Sequence, residues 1–390
     1  MKIIQYSQHV LGIGHFMRSL EICQALSDHD LILVTGGPPV DASMPGHARE
    51  FRLPDLQMNQ EFKGLFSSAK NLTVDQVKQE RRQRLLTLFE KEKPDLFLVE
   101  LYPFGRKAFR FEIDPILQAV YEKKLPPCRV VCSVRDILVE KEDQSKHEAR
   151  AVKTLNAYFD AVLVHADPQV VKLEETFTRC DEISIPVSYT GYIASKPAPD
   201  SGKRIREQLN IGRDELLIVA SAGGGHVGGP LLEAVIKAFR RLQTQGRRHL
   251  KIFTGPYVES SEFEALQRKA GGNAQVQKFT TEFLSYLAAA NLSVSMGGYN
   301  TTMNILASRV PALLWPFSQN REQRLRAQRL AHFGLLTVLE DADLQPDRLA
   351  AMMDEKLSQA IRPALMIDLD GAAATAARVH EWISKKREEY

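Results

Sequence analysis

Glycine, histidine and carboxylate residues stand at a few places in this sequence where their spacing suits proton and phosphate chemistry. The first is Gly12-Ile13-Gly14-His15, which turns the chain out of an apolar run, Lys2 to Tyr6, into a helical pattern beginning near Phe16. Gly12 and Gly14 permit a tight turn and close backbone approach. The helix behind them offers free N–H groups and a partial positive charge to a polar ligand. His15, in the first turn of that helix, projects above the carboxyl ends of the strands, the usual ligand site of an open α/β sheet. With an ordinary pKa of about 6.5, an imidazole there can take a proton from a hydroxyl at neutral pH; a loop or capping histidine is the plainer reading. Arg18 follows one turn later, as a surface residue or as part of a cleft floor. Glu100 ends the run Leu-Phe-Leu-Val-Glu just before Tyr102-Pro103-Phe104-Gly105, where a carboxylate either orients His15 or meets a ligand.

A second glycine turn, Gly223-Gly224-Gly225-His226-Val227-Gly228-Gly229, follows an apolar run and precedes Pro230, a favoured first helical residue. Consecutive glycines let amides converge on an anion at a helix N-terminus, so Gly223, Gly224, Gly225 and His226 read as a diphosphate cradle. No Gly-Lys-Ser or Gly-Lys-Thr follows, which excludes the loop of an ATPase. Further on, Leu-Ser-Val-Ser runs into Gly297 and Gly298 and then a helix carrying Asn300, Thr301 and Thr302 in its first turn, with amides and hydroxyls suited to phosphate. Past Trp315-Pro316-Phe317, Glu322 and Gln323 open another helix, a carboxylate beside an amide that suits adjacent sugar hydroxyls. Arg321, Arg324, Arg326 and Arg329 read as a solvated basic face, with Arg321 in reach of a phosphate.

Short β-rich runs alternating with longer helical patterns must position these residues, and that alternation marks parallel sheets covered by helices. Strands are expected near 2–6, 30–35, 96–100, 129–133 and 161–165, then near 216–221, 250–254, 274–277, 292–295, 311–315 and 335–339. Helices are expected over 16–25, with Phe16, Leu20 and Cys23 inward, and over 76–92, with Leu85, Leu86 and Phe89 inward. The stretch Ser195 to Gly202, rich in proline and small polar residues, divides two similar halves. The expected organisation is a first domain over 1–194, a second over 203–365, and a C-terminal helix within 366–390 that docks on either half.

At 390 residues the chain exceeds what one core usually supports, and 44% hydrophobic with 25% charged residues is the balance of a globular protein. A net charge of +3 gives no nucleic-acid footprint, so small-molecule partners are expected. Cys23, Cys128, Cys132 and Cys180 lack metal-ligand spacing and read as buried thiols, with Cys128 and Cys132 on one strand face. Asp-x-Asp at 28–30, 341–343 and 368–370 reads as solvated acids, so no metal site is expected. No signal peptide and no membrane span is evident, which points to a cytoplasmic protein, with peripheral membrane contact left open.

In order and spacing, the Gly12 to His15 turn, the Gly223 to Gly229 loop, Phe279 before its acidic helix, the Gly297 to Thr301 turn and the Glu322-Gln323 pair carry a resemblance. The chain resembles GT-B-fold glycosyltransferases, similar to the peptidoglycan lipid N-acetylglucosaminyltransferase (MurG-like) and related bacterial glycosyltransferases. The resemblance implies two Rossmann-like doubly wound domains facing a central cleft, with the acceptor bound in the first. It implies a nucleotide sugar, a UDP-sugar by preference, in the second. It places base contacts near Phe279 and Thr280, ribose contact at Asn304, diphosphate at Gly14 and the later glycine turns, and donor-sugar hydroxyls on Glu322 and Gln323. It implies an inverting hexosyl or N-acetylhexosaminyl transfer with no metal and no cofactor beyond the donor. Two positions depart from the family: Asn304 stands where a ribose-binding Glu is usual, and Met296 where plant-type relatives carry a His near the diphosphate. A nucleotide-sugar hydrolase of the same fold, which also carries an Arg at the position of Arg18, and a non-catalytic nucleotide-sugar-binding protein are the alternatives.

Overall fold

The computed structural model describes residues 1–8, 14–38, 43–58, 64–67, 72–138, 143–224, 227–317, 321–359 and 367–388. The chain divides into two compact units, the first comprising 1–193 with the C-terminal stretch from Asp368, the second Ala194–Ile367.

The first unit runs β1 Lys2–Tyr6, α1 Gly14–Ala25, β2 Asp30–Thr35, β3 Ala48–Arg52, a small hairpin of β4 Gln57–Met58 and β5 Leu65–Phe66, then α2 Val74–Glu92. It continues with β6 Leu96–Glu100, α3 Arg110–Tyr121, β7 Arg129–Arg135, α4 Gln144–Tyr158, β8 Ala161–His165 and β9 Val187–Tyr189. Seven of these strands form one parallel sheet in the order β3-β2-β1-β6-β7-β8-β9. β6 and β8 are buried at every position, because helices cover both faces, and such strands read as continuous apolar runs. The edge strands β3 and β9 are polar and half-exposed and give no such run.

The second unit runs α5 Ser201–Gln208, β10 Leu216–Ser221, α6 Gly229–Phe239, β11 Arg248–Phe253, α7 Ser260–Ala270, β12 Ala274–Gln277, α8 Phe283–Ala289 and β13 Leu292–Met296. Then come α9 Tyr299–Ser308, β14 Ala312–Trp315, α10 Arg321–His332, β15 Thr337–Val338 and α11 Pro346–Gln359. Its six strands form a parallel sheet in the order β12-β11-β10-β13-β14-β15, with a core of Ile218, Val294 and Leu313 under Leu232, Val235 and Met353. Inside the stretch expected to be a linker, Ser201 already begins α5, and Gly202 lies against the Ala288 backbone.

The last helix, α12 Gly371–Glu388, belongs to the first unit. Ala376 and Val379 join a core with Phe16, Cys23 and Leu31, the Ile193–Asp370 bridge leads the chain there, and a Cβ at Gly371 would lie 2.3 Å from the Gly191 carbonyl oxygen. Two expectations fail in detail. Cys128 precedes β7, which begins one residue later, and is half-buried; Cys180, in a short turn at 180–182, is half-buried too. On α2, Val77 and Leu88 are buried with Leu85 and Phe89, whereas Leu86 is only partly so. Among the described residues no helix is long and apolar enough to cross a membrane.

One buried ion pair fixes the loops of the first unit. Arg81 on α2 donates Nε and Nη2 to the two carboxylate oxygens of Glu112 on α3, at 2.8 and 2.6 Å. It also donates to the carbonyls of Gly36 and Pro54, at 3.1 and 2.7 Å, and to Gln8 Oε1 at 3.0 Å, and Tyr6 donates its hydroxyl to Glu112. The segments that follow β1, β2 and β3 are thereby tied to one guanidinium. Gly36 is required there, since a Cβ would lie 2.2 Å from Arg81 Nη1. Both charges are fully buried, so Arg81→Met should cost about 3–5 kcal/mol in urea denaturation by stranding Glu112. Arg81→Met with Glu112→Leu should recover the part due to the stranded carboxylate, but not the part due to the Gly36 and Pro54 carbonyls, which lose their donor in both variants, and it leaves the Tyr6 hydroxyl without its acceptor.

Candidate functional site

Strand order reverses between β1 and β6 in the first sheet and between β10 and β13 in the second. Open α/β sheets bind ligands at such switch points, outside the carboxyl ends of the strands. The segments leaving those four strands carry His15, Glu100, the Gly223 turn and the Gly297-Gly298 turn, so each unit brings two of the expected motifs to its own switch point.

In the first unit Gly14 begins α1 and His15 stands in its first turn; Gly12 lies outside the described residues. Glu100, the last residue of β6, is buried and lies 2.6 Å through Oε1 from His15 Nδ1. Arg18 is not a surface residue: it is 4% exposed and donates Nη2 to the same Oε1 at 2.6 Å. Arg106, which the sequence did not single out, donates Nε and Nη2 to Oε2, both at 3.3 Å. Burial alone would raise Glu100, but the hydrogen bond from His15 and the cations of Arg106 and Arg18 outweigh it and hold the carboxyl far below the usual carboxylate range. An ionised carboxylate can only accept, so Nδ1 carries the proton and donates it to Glu100. The Arg18 Nη2–Nδ1 separation of 3.1 Å is then a packing contact, because Nδ1 has no lone pair to offer. Desolvation, with Arg106 and Arg18 nearby, lowers His15 to about 3 against the opposing pull of Glu100. The ring is therefore neutral at pH 7. Its side chain is 23% exposed, and among the described residues Nε2 has no hydrogen-bond partner, which leaves one basic nitrogen facing out.

In the second unit Gly223 has φ +65°, a conformation that favours glycine, and donates its N–H to Ser221 Oγ at 3.2 Å. Tyr257, after β11, donates its N–H to the Gly224 carbonyl at 3.1 Å and braces the turn. Gly225 and His226 lie outside the described residues. Gly228 and Gly229 serve packing: added Cβ atoms would meet Ala222 Cβ at 2.1 Å and Glu262 Oε1 at 2.0 Å. Gly298 caps α9 in extended conformation with nothing near its Cβ position. The first amides of a helix have no acceptor within it; Thr302 is the residue whose N–H reaches back to Gly298, at 2.9 Å. The leading amides from Tyr299 to Thr301 therefore point out of the helix end beside Gly298. Thr302 is fully buried and its hydroxyl also donates to the Gly298 carbonyl, and Gly297 N–H is taken by the Trp315 carbonyl.

Phe279, 46% exposed, follows β12, and its carbonyl accepts from Gln277 Nε2 at 2.7 Å. Thr280 Oγ1 accepts the Glu282 N–H at 3.1 Å, and Asn304 on α9 is half-buried. Glu322 is buried and accepts from Arg326 Nη2 at 2.6 Å, while Arg326 stacks 4.9 Å over the Tyr299 ring. Arg326 is thus a core residue, contrary to the expected solvated face, because α10 turns it inward beside Glu322; Arg321 is exposed. Gln323 accepts the Phe317 N–H at 3.1 Å and lies beside Gly297. Asp343 is buried, capping its turn and pairing with Arg348, where a solvated acid was expected. Among the described residues no three His, Cys, Asp or Glu side chains are grouped to hold a metal ion.

Residues 219–379 match the family model of the glycosyltransferase family 28 C-terminal domain. The crystal structure of the glycotransferase of kitacinnamycin superposes with a TM-score of 0.60 at 17% identity, over 98% of both chains. With the two parallel sheets, that likeness gives this chain a GT-B fold. An uncharacterized glycosyltransferase of Methanopyrus kandleri is 21% identical over 59% of this chain and 64% of its own length. The UDP-N-acetylglucosamine–N-acetylmuramyl-(pentapeptide) pyrophosphoryl-undecaprenol N-acetylglucosamine transferase of Carboxydothermus hydrogenoformans is 29% identical over 38% of this chain and 40% of its own length. The chain thus matches less than two thirds of either relative's length, and the resemblance to MurG-like GT-B glycosyltransferases is borne out.

His165, at the end of β8, is fully buried between Ser133 and Thr190, and burial lowers it to about 3 as well. Both histidines gain protons on unfolding, so their contribution is complete above about pH 6.5 and is lost as pH falls toward the folded values. Glu100, whose folded pKa is also depressed, acts in the same sense below pH 4.5. Each histidine adds a slope of up to about 1.4 kcal/mol per pH unit. His165→Gln should remove about 1 kcal/mol from the loss of unfolding free energy between pH 6 and pH 5, measured by urea denaturation.

Proposed function

We propose that this chain is a glycosyltransferase that moves a sugar from a nucleoside-diphosphate sugar, with UDP as the nucleotide, to a hydroxyl acceptor bound by the first unit. The observation that carries this reading is the pairing at the first switch point of a neutral imidazole, its Nδ1 fixed by Glu100 and its Nε2 outward, in a chain whose residues 219–379 match the glycosyltransferase family 28 C-terminal domain model. In the proposed reaction the acceptor oxygen attacks the anomeric carbon and its proton passes to His15 Nε2. The bond from that carbon to the diphosphate oxygen breaks, and the nucleoside diphosphate leaves. A single displacement of this kind inverts the anomeric centre.

Amides at the Gly223-Gly224 turn and at the start of α9 would meet the charge that develops on the departing diphosphate. Such fixed donors contribute several kcal/mol each in well-placed cases, and general base catalysis about 10²- to 10⁴-fold. Charge stabilisation from these donors makes a divalent cation unnecessary in this scheme. Phe279 and Thr280 stand at the nucleoside end, and Asn304 offers the ribose an amide in place of a carboxylate, which weakens that contact. Support for a UDP-sugar comes from relatives whose names specify UDP-N-acetylglucosamine.

Thermal denaturation against UDP, TDP, GDP, CDP and ADP tests the donor assignment. UDP at about 100 times its Kd should add roughly 2.7 kcal/mol of stability, and no shift with any of the five would overturn the reading. His15→Ala should keep the UDP shift while transfer falls by about 10²-fold or more.

A further inference from the structure

The turn after β6 is built to return a second arginine onto the carboxylate that holds His15. Leu101 and Arg106 both adopt left-handed backbone, φ 64° and 56°, which side chains with a Cβ rarely take. Gly105 donates its N–H to the Leu101 carbonyl at 2.7 Å, and a Cβ at Gly105 would lie 2.8 Å from the Leu101 side chain. The chain thus curls within six residues so that Arg106, only 10% exposed, meets Glu100. The two oxygens of Glu100 are divided: Oε1 takes His15 and Arg18, and Oε2 takes both N–H groups from Arg106.

We propose that Arg106 is a positioning residue of this site, which fixes the Glu100 carboxylate so that His15 is held with Nε2 outward. The proposal rests on the reading of His15 as the base. Without Arg106, Oε2 is left buried with no donor among the described residues, and the carboxylate is free to turn away from Nδ1. The charge balance changes as well. Arg18 and Arg106 give the cluster two cations against one carboxylate, and the groups around it are neutral: His15, His165 from β8, and the Cys132 thiol from β7, which burial and Glu100 push well up. Tyr6 from β1 lies within the influence of Arg106 and remains a phenol, while Arg81 and Glu112 beyond it cancel. The extra cation opposes protonation of His15. Removing it leaves Glu100 facing the imidazole with Arg18 alone, so His15 should protonate at higher pH.

Carbethoxylation by diethyl pyrocarbonate, located by peptide mass spectrometry, reads this without any substrate, because only a neutral, accessible imidazole nitrogen reacts. In the unmodified protein, His15 should stay reactive, relative to free imidazole, down to pH 5. In Arg106→Gln its reactivity should fall with a midpoint about one pH unit or more higher, and Arg106→Lys, which keeps the charge without the two-pronged contact, should shift it less. If Arg106→Gln fails to fold, the smaller upward shift in Arg106→Lys decides the matter. A His15 profile unchanged in the variants, or a His15 that never reacts, overturns the proposal. Failure of every nucleoside diphosphate to bind would instead sink the donor reading and leave the Arg106 result standing.

Discussion

A buried carboxylate at the end of a central strand has to be compensated, and the way Glu100 is compensated governs the first unit's chemistry. Two guanidinium groups keep it ionised, and an ionised Glu100 can only accept, which dictates the tautomer of His15. The imidazole needs no positive charge to be held there. Because Arg18 and Arg106 already balance the carboxylate, the ring is spared protonation in surroundings that disfavour any further charge.

The geometry that permits this arrangement comes from the parallel sheet. Strands that reverse order at one point leave a crevice between two outgoing segments, and in each unit those segments carry the side chains or amides at issue. The surrounding structure then has to hold loops rather than strands. Arg81 does so in the first unit by gathering carbonyls from the segments after β2 and β3 and the Gln8 side chain after β1. In the second unit the Tyr257 N–H braces the Gly223-Gly224 turn, and Gly228 and Gly229 let the next helix pack close against Ala222 and Glu262. The glycine run therefore divides into a tight turn, with left-handed backbone at Gly223, and a pair that serves packing.

Interior strands were legible because burial on both faces demands unbroken apolar runs, as in Leu96–Glu100 and Ala161–His165. The polar edge strand Ala48–Arg52 offered no such pattern, nor did the three-residue strand Val187–Tyr189. The association of His15 with Glu100 was open to sequence reasoning, since one follows and the other ends a strand, and a doubly wound sheet places those two strands side by side. Arg18, Arg106 and Arg326 were not, because an arginine in a helix or a loop carries no sign of the buried partner it will meet. Side chains of Glu322 and Gln323 show the same limit: the pair was visible, but its bonds to Arg326 and the Phe317 amide were not.

The account stands on the protonation of one ring, and long-range 1H–15N correlation spectra of the histidine-labelled protein, with the His15 signals assigned through His15→Gln, observe it directly. At pH 7 they should show a neutral His15 with the proton on Nδ1 and Nε2 bare. An imidazolium pattern, or a proton on Nε2, would contradict it.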